Sequence, residues 1–183
     1  MSRKSSNDDT PKWVTSGGGP LMLLEERSLE RWGGIFDPIT GAADPDGAGT
    51  DYARACQIDG YIGRILVDSV EAIVLTDEPT PTTWLLDSRG GGTFVRWMAG
   101  EDEREFLSWA PKVPANILRS DGRFAVFHSK LVLFDTALAG RNVRTYPQDY
   151  LEIDLKPGTY EIMTAYWEPD DRTWILVHQL RPV

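Results

Sequence analysis

Residues 151–182 read LEIDLKPGTYEIMTAYWEPDDRTWILVHQLRP. Leu151, Ile153 and Leu155 alternate with Glu152 and Asp154, the period-2 pattern of a half-buried strand. Lys156-Pro157-Gly158 and Glu168-Pro169-Asp170-Asp171 interrupt the alternation with turn chemistry. Between and beyond them, Tyr160 to Trp167 and Trp174 to Leu180 alternate again. The stretch predicts three consecutive antiparallel strands in a meander, and it sets the fold class as β-rich.

Working outward, the same signals recur. Asp68-Ser69 separates Tyr61–Val67 from the apolar run Ala72–Thr76, which reads as a hairpin. Pro20–Leu24 is a short apolar run behind Gly17-Gly18-Gly19 and reads as a buried strand. Trp84–Leu86, Thr93–Met98 and Leu131–Phe134 are further strands. Ser120-Asp121-Gly122-Arg123 reads as a turn between strands Asn116–Arg119 and Phe124–His128. Helices are few and short. Glu25–Trp32 ends at Gly33-Gly34, a C-cap signal, and Asp51 starts a helical turn through Cys56. Glu101–Ala110 is the plainest helix, with Asp102 and Glu105 as a capping pair and Pro111 as its stop. The fold class is therefore α+β, predominantly antiparallel β-sheet with two or three short helices. Residues 1–12 are polar and read as a disordered tail. Residues 13–112 form an N-terminal α+β lobe and 113–183 a C-terminal β-meander lobe, or the two make one continuous domain. Asp37–Thr50 is a long Gly/Pro/Asp loop.

Composition narrows the function. There are 28 acidic residues against 19 basic ones, a formal charge of −9. The first twelve residues are net positive, with Arg3, Lys4 and Lys12 against Asp8 and Asp9, so the body is more acidic still. Such a field repels phosphate backbones and anionic membranes and attracts basic partners. Neither nucleic acid nor membrane is an expected partner. The single cysteine, Cys56, permits no internal disulfide and suits a reducing compartment. With no signal-peptide pattern at the N-terminus, the expected location is the cytoplasm.

The search for chemistry returns little. His128 and His178 lie fifty residues apart and read as structural. Asp44, Asp46 and Asp51 lack the ligand spacing of a calcium loop. Cys56 has no helix N-terminus to activate it and reads as a buried, inert thiol. Gly17-Gly18-Gly19 and Gly90-Gly91-Gly92 precede strands, so they are turns rather than phosphate loops. Asp77 with Glu78, and Glu152 with Asp154, are carboxylate pairs that an acidic chain produces by chance. No catalytic residue, metal ligand or cofactor is assigned, and the expectation is a non-enzyme.

The acidic surface is the feature with functional pull. Glu101, Asp102, Glu103 and Glu105 form one cluster. Glu152, Asp154 and Glu161 would share one exposed strand face if Leu151, Ile153, Leu155, Tyr160 and Ile162 point inward. These seven carboxylates are the candidate partner-binding residues. Seven tryptophans read mainly as core, though an exposed coplanar set would make a carbohydrate platform. A β-rich small-ligand or carbohydrate-binding module is thus the alternative to a protein-binding domain.

Several segments together resemble the bacterial immunity protein 21 family of polymorphic toxin systems. They are Trp13–Leu24, Leu29 with Trp32-Gly33-Gly34, Asp51–Cys56, Ala72–Pro79 with Thr82-Thr83-Trp84, and Gly91–Trp97. The resemblance implies a protein that neutralises a cognate toxin domain by binding it directly, with no catalytic residues of its own. A basic, nuclease-like toxin would suit the acidic surface.

Overall fold

The computed structural model describes residues 11–76 and 79–183. The expected tail therefore falls mostly outside the described residues, as do Asp77 and Glu78. Among the described residues, ten strands form two five-stranded antiparallel sheets. The first runs β2-β3-β1-β7-β8 and the second β4-β5-β10-β9-β6. Their ranges are β1 Leu21–Glu25, β2 Ile62–Val67, β3 Val70–Leu75, β4 Thr82–Leu86 and β5 Gly92–Ala99. The second half of the chain supplies β6 Arg119–Val126, β7 Lys130–Asp135, β8 Tyr150–Asp154, β9 Gly158–Asp170 and β10 Thr173–Pro182. The α-helices are α1 Asp51–Cys56 and α2 Glu103–Trp109.

The sheets pack face to face around one core. Leu21, Leu23, Ile73, Leu75, Leu131, Leu133, Leu151 and Ile153 come from the first sheet; Phe94, Phe124, Tyr160, Ile162 and Leu180 come from the second. Two further cores lie on the outer faces. Met22, Leu24, Val74, Val132 and Phe134 pack under Leu29 of the 3-10 turn Glu26–Arg31 and Trp32, which follows it, under Ala55 of α1, and under Val143. Val95, Ile175 and Val177 pack under Phe106 and Ala110 of the α2 region. This double covering explains why β1 and β7 read as unbroken apolar runs. Each fully buried Leu, Val or Phe side chain contributes about 1.5–3 kcal/mol.

Local chemistry sets the element ends. The Asp102 side chain accepts the Glu105 N–H at 2.8 Å, so the capping pair starts α2 as expected. The cap of α1 is Thr50 rather than Asp51: Thr50 Oγ1 accepts the Ala53 N–H at 3.1 Å. Asp51 instead accepts the Gly33 N–H at 2.8 Å and pairs with Arg54. Asp68, at φ 58°, makes the β2–β3 turn. Gly34 stands at φ +63° with the backbone of Ala137 and Leu138 within 2.6 Å of where a Cβ would lie, so glycine is required there.

Three expectations change: the meander, the Ser120–Arg123 turn and the burial of Cys56. The meander does not form: β8 pairs with β7 in the first sheet, while β9 pairs with β10 and β6 in the second. Lys156-Pro157-Gly158 is a corner between sheets, because Leu155 and Tyr160 must both reach the central core. Ser120–Arg123 is not a turn but lies within β6. The register steps from Ser120↔Met163 to Arg123↔Glu161, so one extra residue bulges, with Gly122 at φ +94°. Each sheet takes strands from both sides of residue 112. Finally, Cys56 is exposed at the end of α1 rather than buried. It hydrogen-bonds Tyr52, which with burial pushes the Tyr52 hydroxyl up to about 12.

Candidate partner-binding surface

The chain puts its first acidic cluster where α2 begins. Glu101 lies within 3.7 Å of Arg172, which ties the β5–α2 junction to the β9–β10 turn. Asp102 is occupied as the cap of α2, and Glu103 accepts the Trp13 indole N–H at 3.1 Å. Glu105 is exposed. The turn adds Glu168, Asp170 and Asp171. Only Arg104 and Arg172 offset these seven carboxylates along the two segments. Asp170 accepts the N–H groups of Arg172 and Thr173, which hold its carboxyl below the usual carboxylate range. Trp174 stands out beside this rim. It is 44% exposed, whereas the other six tryptophans are buried or half-buried.

The second set of carboxylates does not assemble. Leu151, Ile153, Leu155, Tyr160 and Ile162 do point inward. Glu152 and Asp154 are exposed on β8, at the edge of the first sheet, where Arg144 pairs with Glu152 at 2.7 Å. Glu161 is half-buried on β9 in the second sheet, opposite Arg123 and Arg181, and its carboxylate accepts from Ser120 Oγ at 3.1 Å. The corner at Pro157-Gly158 is what separates them.

A groove of about 520 Å³ opens beside β9. Tyr61, just ahead of β2, stacks on Tyr166 of β9 with ring centroids 6.2 Å apart and planes within 10°. Asn116, Ile117, Arg119 and Asp121 complete the wall, with Thr164 and Ala165 as floor. Nothing in the local sequence flags this groove, because its two tyrosines are more than a hundred residues apart and belong to different sheets. A second groove of about 490 Å³ lies between Leu107, Ala110 and Pro111 of the α2 region and Leu85, Leu86, Thr93 and Gln179 of the second sheet.

Behind the tyrosine groove sits the chain's one buried histidine. His178 is fully buried on β10; its Nδ1 lies 2.9 Å from Thr164 Oγ1, and its Nε2 has no hydrogen-bond partner among the described residues. Burial, then the nearby Arg96 guanidinium, pushes its pKa well below the ordinary 6.5. Such an imidazole is a neutral packing group with no route to a substrate proton. His128 is exposed and far along the chain. Among the described residues, no three His, Cys, Asp or Glu side chains group to hold a metal ion, and no helix is long and apolar enough to cross a membrane.

The His178 environment has a measurable consequence. The folded state holds this imidazole neutral, while the unfolded chain takes up a proton below about pH 6.5. The unfolded state therefore binds more protons, and stability is lost as pH falls from 6.5 toward the folded-state value. The expected slope is at most about 1.4 kcal/mol per pH unit. Urea unfolding between pH 7.5 and pH 5 should show it, and His178→Gln should flatten it. An unchanged slope in that variant would contradict the assignment.

No curated protein and no solved structure matches the chain. The immunity protein 21 family model matches residues 12–173, nearly its whole length. The match spans both sheets, from the segment before β1 to the first residue of β10, and so takes in α2, the acidic rim as far as Arg172 and the tyrosine groove. The chain therefore belongs to the immunity protein 21 family.

Proposed function

We propose that this protein neutralises a cognate bacterial toxin by binding it directly, without catalysis of its own and without a cofactor. Membership of an immunity family across residues 12–173 carries the reading. The surface supports it. A formal charge of −9, with carboxylates gathered at one end around an exposed Trp174, suits a basic partner such as a nuclease-like toxin domain. An aromatic anchor ringed by charge is the usual make-up of a tight interface centre. The cytoplasm, where such a toxin is made, is the proposed site of action. The carbohydrate-platform alternative gains no support, since Trp174 stands alone as an exposed tryptophan.

The mechanism is occlusion. Carboxylates presented where a nuclease expects phosphates would hold the toxin's basic site and keep its substrate out. Association should then be steered by charge. The association rate with the purified product of the neighbouring gene should fall by roughly tenfold or more between low and high salt. Stopped-flow measurement checks this, and a rate independent of salt would remove electrostatic steering from the account.

A further inference from the structure

Asp37–Thr50 has the composition of a slack connector, yet its first part is pinned. Asp37 Oδ1 accepts the Ile39 N–H at 3.0 Å, the Thr40 N–H at 2.7 Å and the Thr40 hydroxyl at 3.0 Å. These bonds, those from Thr40 first, hold its carboxyl below the usual carboxylate range. The main chain closes the turn. The Gly41 N–H donates to the Asp37 carbonyl and the Asp37 N–H to the Ala42 carbonyl, both at 2.9 Å. Below it Phe36 bridges to Ala43, and the Asp44 N–H donates to the Ile35 carbonyl at 2.7 Å. The base is fastened to the body: the Ile35 N–H donates to the Ala137 carbonyl at 3.2 Å, and the Arg141 guanidinium sits 5.3 Å from the Phe36 ring centre.

At the tip stands Ile39, 92% exposed, the most exposed large apolar side chain among the described residues. A lone exposed apolar side chain is ordinary on a protein surface. One carried on a pinned turn differs, because docking it orders little chain that was not ordered already. The charge around it has one sign. Between Gly33 and Ala53 there is no Lys, Arg or His, while Asp44 and Asp46 are exposed beside the turn. Arg54, just beyond, is paired with Asp51. The strand registers put the loop at the end of the sheets that carries the acidic rim. Ala137, which holds its base, follows β7, whose last residue Asp135 lies opposite Leu21. Val14, shortly before Leu21, pairs with Thr82, and Thr82 lies opposite Arg96 near the end of β5, from which the rim follows. A partner drawn to the rim approaches the end that also carries the loop.

We propose that the turn Asp37–Ala42 is a docking finger for the cognate toxin: Ile39 enters an apolar recess in the toxin's basic site, and Asp44 and Asp46 meet the cations around it. The inference rests on the immunity reading above. The two parts act at different stages. The aspartates steer the encounter through charge, and Ile39 holds the complex once its side chain leaves water. Asp37 does neither directly. It keeps the turn in shape through the three hydrogen bonds it accepts.

The test uses the full chain and the purified product of the neighbouring gene. Ile39→Ala and Ile39→Lys remove the apolar tip, and Asp46→Lys reverses a charge beside it. All three side chains are exposed, so urea midpoints should stay at the wild-type value. Leu86→Ala is the control: Leu86 is 71% exposed and lies at the end of β4 away from Thr82. Calorimetry should show both Ile39 variants binding at least roughly tenfold more weakly, with the control unchanged. Stopped-flow should place the Ile39→Ala loss in dissociation and the Asp46→Lys loss in association at low salt. Wild-type affinity in both Ile39 variants would overturn the assignment while leaving the immunity reading intact. An equal loss in Leu86→Ala, or a lowered urea midpoint in Ile39→Ala, would overturn it too. A homodimer of this chain that Ile39→Ala breaks would assign the tip to self-association instead. A wild-type chain that does not bind the neighbouring product at all would sink the immunity reading, and this inference with it.

Discussion

Trp32→Ala is expected to destabilise the protein by about 4 kcal/mol. Trp32 is 1% exposed and sits in the outer core of the first sheet with Leu29, Val132 and Phe134. Its indole N–H donates to the Thr136 carbonyl at 2.9 Å, just past β7. It therefore fastens the 3-10 layer to the sheet by packing and by a buried hydrogen bond. Truncation leaves a cavity, and the close contacts around it limit collapse. The Gly140 N–H donates to the Trp32 carbonyl at 2.8 Å, and a Cβ on Gly140 would fall 1.7 Å from the Leu29 carbonyl oxygen. Trp32→Phe keeps most of the packing and loses the hydrogen bond, so it should cost about 1–2 kcal/mol. Urea unfolding followed by far-ultraviolet circular dichroism measures both. A loss under 1 kcal/mol for the alanine variant would show that the outer layer is not fastened through this side chain.

The second large effect is expected at Glu25. Its carboxylate is 1% exposed at the end of β1 and accepts the Phe127 N–H at 2.7 Å and the His128 N–H at 2.9 Å. Arg27 Nε approaches it at 3.0 Å, but the Arg27 side chain is half exposed. The carboxylate thus closes the β6–β7 connection by satisfying two backbone donors that would otherwise have no partner. Glu25→Ala removes both bonds and should cost about 3 kcal/mol. Arg27→Ala, which removes only the exposed partner, should cost less than about 1 kcal/mol. The two losses are compared by the same unfolding measurement. Equal losses would mean that the ion pair, rather than the backbone bonds, does the holding.

Glu25 also illustrates what the sequence conceals. An acid directly after Leu21–Leu24 reads as the start of a polar helix, and nothing local says that its partners lie a hundred residues on. Signals that depend on neighbours were legible. The apolar run at β1, the Asp68-Ser69 hairpin and the Asp102–Glu105 cap are all fixed by residues within a few positions of one another. Long-range choices were not. Pro157-Gly158 has the chemistry of a hairpin turn and serves instead as a corner, because the core between the sheets needs Leu155 and Tyr160 from both sides of it. Ser120-Asp121-Gly122-Arg123 has turn composition, yet β9 continues past it and draws it into a bulged strand. The acidic rim around α2 was half visible: Glu101 to Glu105 stand out in the sequence, while their junction with Asp170 and Asp171 depends on the β10 register. The tyrosine groove depends on both sheets being in place and had no local signal.

The most direct test of the central claim is growth. The protein encoded by the neighbouring gene would be expressed in a susceptible cell, alone and with this protein, and the two products purified together on a tag carried by one. The account predicts that the toxin arrests growth, that co-expression restores it, and that a stoichiometric 1:1 complex is recovered. Continued arrest in the presence of abundant, folded protein, with no complex recovered, would contradict it.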